Sequence, residues 1–471
     1  MSDPLSSLRA AVDPQGWIDD PADMAGYLHE QRNRYHGGAL AVVRPASTDH
    51  VAALVRAAAA EKVQIVAQGG NTGLVGASMP HAGERAIILS LQRLNRIREI
   101  DALDYTATVE AGCILETVQQ AVEAADRLFP LSLGSEGSAT IGGLISTNAG
   151  GTMTIRYGNM RDLVLGVETV LPDGSVWNGL RRLRKNNTGY DLKHLFIGGE
   201  GTLGIVTAAV LKLFPRPRQV ETAFVGVPDP AAAIALLAQL RVASGDALSG
   251  FEVMPRLALD FALRHVAGSV DPLGRPYPWY VLIEATAGTA NGLLRETLET
   301  ALADAIASGL ALDATLADSD ARRAALWFLR EAIVEAQRFE GGSIKHDVSV
   351  PVSHVAEFIA RATEAVETAL PGIRPMPFGH AGDGNIHFNL SQPVGADTAA
   401  YLARWEEFNA IVHGIALDLG GSISAEHGIG RYKREELPMM KSKVELDMMR
   451  RIKSALDPDD LLNPQALFSR E

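Results

Sequence analysis

The chain has 471 residues, enough for roughly two to four domains with sizeable cores. Hydrophobic residues at 47% and charged residues at 21% suit a globular enzyme, and a net charge of −13 argues against binding nucleic acid or an anionic membrane surface. One cysteine, Cys113, excludes an internal disulfide and any cysteine-based zinc or iron–sulfur site, and fits a reducing compartment. Residues 1–4 carry no basic region leading into an apolar core, so no signal peptide is expected. The alanine-rich run 51–60 is broken by Arg56 and falls short of a membrane span. The expected protein is soluble, cytoplasmic and not an integral membrane protein.

In chain order, a helix is expected over 49–62, capped by Asp49, with Val51, Leu54 and Val55 on its apolar face. A short buried strand over 63–67 runs into Gln68-Gly69-Gly70-Asn71-Thr72-Gly73. Glycine lets the chain turn with positive φ and approach a ligand closely, so such a loop can present successive amides to an anion. A plain turn gives the same pattern, and the spacing matches neither the Rossmann fingerprint nor the phosphate loop of nucleotide hydrolases.

Alternation over 86–114 predicts short strands, and Leu115, Val118 and Val122 predict a helix over 114–128. A second glycine-rich region spans 133–151, with Thr140-Ile141-Gly142-Gly143 and Asn148-Ala149-Gly150-Gly151. Pro172-Asp173-Gly174 is a hairpin turn between the strands 164–170 and 176–177. A third glycine cluster, Gly198 to Gly204, lies beside an apolar strand containing Ile205. At Pro215-Arg216-Pro217 the composition changes and a domain boundary is expected. Strands at 222–227, 250–254 and 279–284 then alternate with helices at 230–243, 257–266, 291–309 and 318–339, an α+β domain on an antiparallel sheet. A strand over 343–350 and helices over 355–370, 402–419 and 444–456 follow, with Gly420-Gly421 ending the helix before it.

Two histidines flank the turn Gly382-Asp383-Gly384-Asn385, and the reversal would set His380 and His387 side by side at one end of a hairpin. Glu426, if it folds back onto them, completes a His–His–carboxylate set suited to a divalent metal with an open position. Each histidine alone reads first as an ordinary strand residue in a glycine-rich loop. Arg330 and Lys345, taken alone, read as solvated charges, although a guanidinium suits bidentate capture of a carboxylate.

The glycine clusters, Arg156-Tyr157-Gly158, Asn187-Thr188-Gly189-Tyr190-Asp191, the histidine turn and Ala425-Glu426-His427-Gly428, in this order, resemble the vanillyl-alcohol oxidase family of flavoproteins. Within it they look most like the FAD-linked D-2-hydroxyacid dehydrogenases that act on D-2-hydroxyglutarate and D-lactate. The resemblance spans roughly residues 40–468. It implies an α+β fold with a two-part FAD-binding domain over 1–217, an antiparallel substrate-binding cap over 218–420 and a C-terminal segment, 421–471, returning to the FAD domain. It further implies FAD contacts from Gln68, Gly69, Gly70, Asn71, Thr72, Gly73, Thr140, Ile141, Gly142, Gly143, Asn148, Gly150, Gly151, Gly201 and Ile205. The flavin is expected to be non-covalent, because Asn71 stands where covalently linked relatives carry histidine.

By the same resemblance, His380, His387 and Glu426 are metal ligands, usually for zinc, whose remaining positions take the 2-hydroxyl and carboxylate oxygens of the substrate. His427 is the base that takes the hydroxyl proton while the C2 hydrogen leaves as hydride to the flavin. Arg330, Lys345 and Asn389 are substrate contacts. The arginine–lysine pair favours a dicarboxylate, D-2-hydroxyglutarate or D-malate, over D-lactate. Val334 departs from the pattern: it stands where the hydroxyglutarate subgroup has a threonine, which shifts the expectation toward a shorter or less polar acid. The expected electron acceptor is an electron-transfer flavoprotein or a quinone, a homodimer is one expected assembly, and no nucleic-acid partner is implied. Two other readings are a same-fold oxidase using oxygen and a metal-dependent hydrolase whose glycine loops are only turns.

Overall fold

The computed structural model describes residues 5–30 and 36–469; residues 1–4, read above for a signal peptide, lie outside it. The chain divides into two compact units. The first comprises 1–150, 158–216 and 426–471, and the second 151–157 and 217–425.

In the first unit, the strands Val42–Val43, Ala86–Ser90 and Gln64–Gln68 pair in parallel, with Trp17–Ile18 antiparallel at one edge. The helix Thr48–Glu61 buries Val51, Leu54, Val55 and Ala58 in the core that also holds Ile65, Ile87 and Leu89. Its cap is Ser47, whose hydroxyl accepts from His50 N, and not Asp49, which sits inside the first turn. Lys62 at φ +53° ends it and turns the chain into the strand. That strand also meets the C-terminal segment: Ile65 N donates to Leu461 O at 2.9 Å and Asn463 N to Ile65 O at 2.8 Å.

The second half of this unit is a five-stranded antiparallel sheet, in the order Ile97–Asp101, Thr106–Glu110, Ile205–Lys212, Val164–Val170, Val176–Gly179. The helix expected over 114–128 is shorter, Leu115–Ala124. Asp126 takes φ +58°, and Arg127–Leu128 becomes a strand paired with Phe214–Pro215, so pairing overrides the helical period there. Within the glycine-rich region 133–151 the residues Ile141–Thr147 form a helix, with Asn148 at φ +52° as its cap.

The second unit is built on antiparallel strands. One sheet has the order Leu248–Pro255, Trp279–Ala287, Gln219–Val227, Asp313–Leu316; the last, four residues long, has no expected counterpart. The other has the order Ser343–Ser349, Asn385–Ser391, Arg374–Phe378. A reciprocal pair of backbone hydrogen bonds between Val253 and Gly379, 2.9 and 3.0 Å, links the two. The helices Pro230–Ser244, Leu293–Ala307, Val355–Ala369 and Trp405–Asp418 pack apolar faces into one continuous core, and Arg256–His265 with Asp320–Ala336 into another. Arg156, on the short segment the unit borrows from 151–157, donates to Ala247 O at 2.9 Å and Thr286 O at 2.6 Å. Among the described residues no helix is long and apolar enough to cross a membrane.

Candidate active site

The glycine clusters come together inside the first unit. A Cβ on Gly70 would stand 1.9 Å from Ser138 O, and one on Gly69 2.2 Å from Thr140 Oγ1. A Cβ on Gly142 would stand 2.7 Å from the Ala111 methyl. These positions exclude any side chain, and they bring the first and second glycine regions into backbone contact. Gln68 is buried, with its amide nitrogen donating to Tyr27 O and Ser78 O. Asn71 takes φ +54° and donates to His29 O at 2.8 Å. Asn148 accepts from Arg161 N at 2.9 Å. Thr140 Oγ1 and Gln68 Oε1 are buried without a hydrogen-bond partner. Buried polar atoms rarely stay unsatisfied. A bare glycine cradle with waiting polar atoms fits a cofactor that carries a diphosphate and polar rings. Thr72 and Gly73 complete the first loop, Gly143 and Gly150 the second, and Gly201 at φ +70° and Ile205 the third.

In the second unit the histidine hairpin forms as expected. Phe378 registers with His387, the turn residue Asn385 donates from its backbone to Asp383 Oδ1, and the His380 and His387 rings lie 5.3 Å apart. Alternation along Asn385–Ser391 places His387 and Asn389 on one face, and the register adds Asp347 opposite His387 and Lys345 opposite Asn389. Asn389 is buried and donates to Gln337 Oε1 at 3.0 Å.

The second unit ends at Ala425, whose N–H donates to Asp347 O at 3.3 Å, so Glu426 begins beside His387 by chain connectivity alone. His380, His387 and Glu426 each offer a ligand atom within 4.8 Å of one another, and Asp347, Glu426 and His427 form a second such set. Two imidazoles and a carboxylate at that spacing suit zinc or a similar divalent cation.

Arg330 departs from the expectation of a solvated charge. It is 7% exposed, stacks over Phe378 at 4.9 Å, and donates Nε and Nη2 to Glu252 Oε2, both at 2.8 Å. The Nε–Nη2 edge of the guanidinium is therefore occupied. Glu252 Oε1 in turn meets His380 Nδ1 at 2.5 Å. Burial opposes ionisation of Glu252, but His380 and Arg330 outweigh it and hold the carboxyl down to about 2. Asp383, in the turn, is pushed up to about 6 by burial, which outweighs His380 and the Asn385 N–H. Val334, one turn beyond Arg330, is 45% exposed.

Two carboxylates that matter here were not anticipated from sequence. Glu252 had a signal, a charge amid the apolar run Phe251–Met254. Glu200 sits inside the third glycine cluster with φ +50°, and its two oxygens accept from Ile429 N and Gly430 N, both at 2.8 Å, just beyond His427. Burial pushes it up to about 7 despite those two donors.

Comparison with known proteins places the chain in a family. Residues 216–467 match the family of FAD linked oxidases, C-terminal domain, and residues 39–179 match an FAD binding domain. The chain is 37% identical over 466 residues to the mitochondrial D-2-hydroxyglutarate dehydrogenase of Bos taurus, covering 99% of this chain and 83% of that protein. It is 37% identical over 470 residues to D-2-hydroxyglutarate dehydrogenase of Xanthomonas citri pv. viticola, covering 99% and 98%. Its fold is similar to that of p-cresol methylhydroxylase, with a TM-score of 0.76 at 16% identity, covering 98% of this chain and 95% of that one. The chain belongs to the FAD-linked oxidase family, with a vanillyl-alcohol oxidase-type α+β fold. It is an FAD-dependent oxidoreductase.

Proposed function

We propose that the protein oxidises a D-2-hydroxyacid to the 2-oxoacid, with D-2-hydroxyglutarate or D-malate as the favoured substrates. The observation that carries this reading is the grouping of His380, His387 and Glu426, with His427 next in the chain. The full-length identity to the two D-2-hydroxyglutarate dehydrogenases supports it.

The glycine cradle would hold FAD, which would supply the hydride acceptor. His380, His387 and Glu426 would hold a divalent cation, zinc by preference, which would supply a Lewis acid for the 2-hydroxyl. His427 takes the hydroxyl proton. Asn389 and Lys345, neighbours in register, present an amide and an ammonium to the acid, and Gln337 fixes the Asn389 amide. Arg330, engaged by Glu252 through its Nε–Nη2 edge, contributes a shared positive charge. The missing hydroxyl at Val334 favours a second reading, a shorter acid such as D-lactate. The electron acceptor in this reading is an electron-transfer flavoprotein or a quinone.

A dye-linked assay across D-lactate, D-malate and D-2-hydroxyglutarate, with and without chelator, tests the proposal. The expected result is D-enantiomer selectivity and loss of rate on chelation. Full activity without bound metal would overturn the mechanism.

A further inference from the structure

Glu252 stands in the middle of Leu248–Pro255, a strand with all eight residues buried, and is itself 0% exposed. An ionised carboxylate in such a place is costly unless every oxygen is paired. Here both are paired, and each partner has a different consequence. Arg330 closes two donors onto Oε2, and His380 Nδ1 approaches Oε1. The backbone reinforces the second contact. Val253, the residue after Glu252, exchanges two hydrogen bonds with Gly379, the residue before His380, so the strand grips His380 through main chain and side chain together. His387 has a looser counterpart, with Nδ1 3.7 Å from Asp347 Oδ1, beyond hydrogen-bond length.

A carboxylate only accepts hydrogen bonds, so the imidazole nitrogen facing it must carry the proton. In the neutral ring the remaining lone pair then lies on Nε2. We infer that Glu252 is a positioning residue: clamped by Arg330, it fixes His380 as the Nδ1–H tautomer with a ligating Nε2, and so sets how tightly the His380–His387–Glu426 group holds a divalent metal. The inference rests on the reading of that group as a metal site. It also gives Arg330 a task apart from substrate, as the clamp on Glu252.

The chemistry makes two substitutions diverge. In Glu252→Gln the amide oxygen is claimed by the two Arg330 donors, which leaves the NH2 facing His380. Nδ1 must then accept, the proton moves to Nε2, and the ligating lone pair is lost. Glu252→Asp shortens the arm by one methylene but keeps an acceptor-only group. A merely structural role predicts the opposite order, because glutamine is nearly isosteric with glutamate and aspartate leaves a gap.

The test titrates Zn2+ into flavin-loaded, chelator-stripped protein against a chromophoric competitor, for wild type and both variants, with FAD content measured in each. Expected are one zinc per wild-type chain, about 10- to 100-fold weaker binding in Glu252→Gln, and a smaller loss in Glu252→Asp, at equal FAD content. Equal affinity in all three, or aspartate weaker than glutamine, overturns the inference alone. Absence of zinc uptake by the wild type overturns the metal-site reading beneath it. If Glu252→Gln does not fold, Glu252→Ala takes its place: weaker zinc binding in Glu252→Ala than in Glu252→Asp supports the positioning role, and equal affinity in both, or a larger loss in Glu252→Asp, overturns it.

Discussion

Replacing Glu200 by glutamine should change how stability depends on pH. The carboxyl is buried, and its pKa rises from 4.5 to about 7 on folding. An acid raised in this way binds its proton more tightly in the folded state. The stability it contributes is full below about pH 4.5 and is lost as pH rises toward 7. At about 1.4 kcal/mol per unit, that loss is on the order of 3 kcal/mol. Glutamine does not titrate. It also offers one acceptor oxygen where Ile429 N and Gly430 N need two, a pH-independent penalty of about 1–3 kcal/mol. The stability gap, wild type minus Glu200→Gln, should therefore start positive at pH 4.5 and shrink by ~3 kcal/mol by pH 7.5. Urea unfolding of the flavin-loaded proteins at half-unit pH steps measures it. A gap that stays constant, or widens with pH, would refute the reasoning.

Gly70→Ala drives a methyl into the Ser138 carbonyl, where no flexible side chain can give way, so FAD per chain should fall well below one by flavin absorbance. Full occupancy would show that the first loop shifts freely. His427→Ala should lower the dye-linked rate by about 100-fold or more with FAD and metal retained; an undiminished rate would remove it from the role of base. Val334→Thr should lower KM for D-2-hydroxyglutarate relative to D-lactate by several-fold, about one hydrogen bond's worth, and an unchanged ratio would place position 334 away from the acid. Arg156→Ala removes the side-chain donor to Thr286 O and one of the two donors to Ala247 O, which keeps Thr286 N, and should cost about 1 kcal/mol, visible as a lower melting temperature.

Local signals in the sequence carried far. The strand–turn–strand around His380 follows from Gly-Asp-Gly-Asn between apolar alternations, and the turn chemistry alone is enough to place both rings. The Leu115 helix shows where such reasoning stops, because the partner that ends it, Phe214–Pro215, lies almost ninety residues away. The same limit hid the Arg330–Glu252–His380 chain. Each member has an ordinary local context, and only a three-dimensional fold joins a helix, a strand and a hairpin end. Glu200 was overlooked because glycines on both sides drew the reading toward backbone geometry, while its side chain reaches residues 229 and 230 positions on.

The pairing of Ile65 with Leu461 and Asn463 has a consequence for biosynthesis. The strand Gln64–Gln68 pairs early with Ala86–Ser90, but its other edge is met only by residues made almost four hundred positions later. On the ribosome, residues 217–425 have all their own sheet partners first and can fold as a body. The amino-terminal segments must wait with an open strand edge, the kind of surface that invites aggregation. A frameshift or stop codon shortly before Leu461 would thus strike a sheet edge formed hundreds of residues earlier.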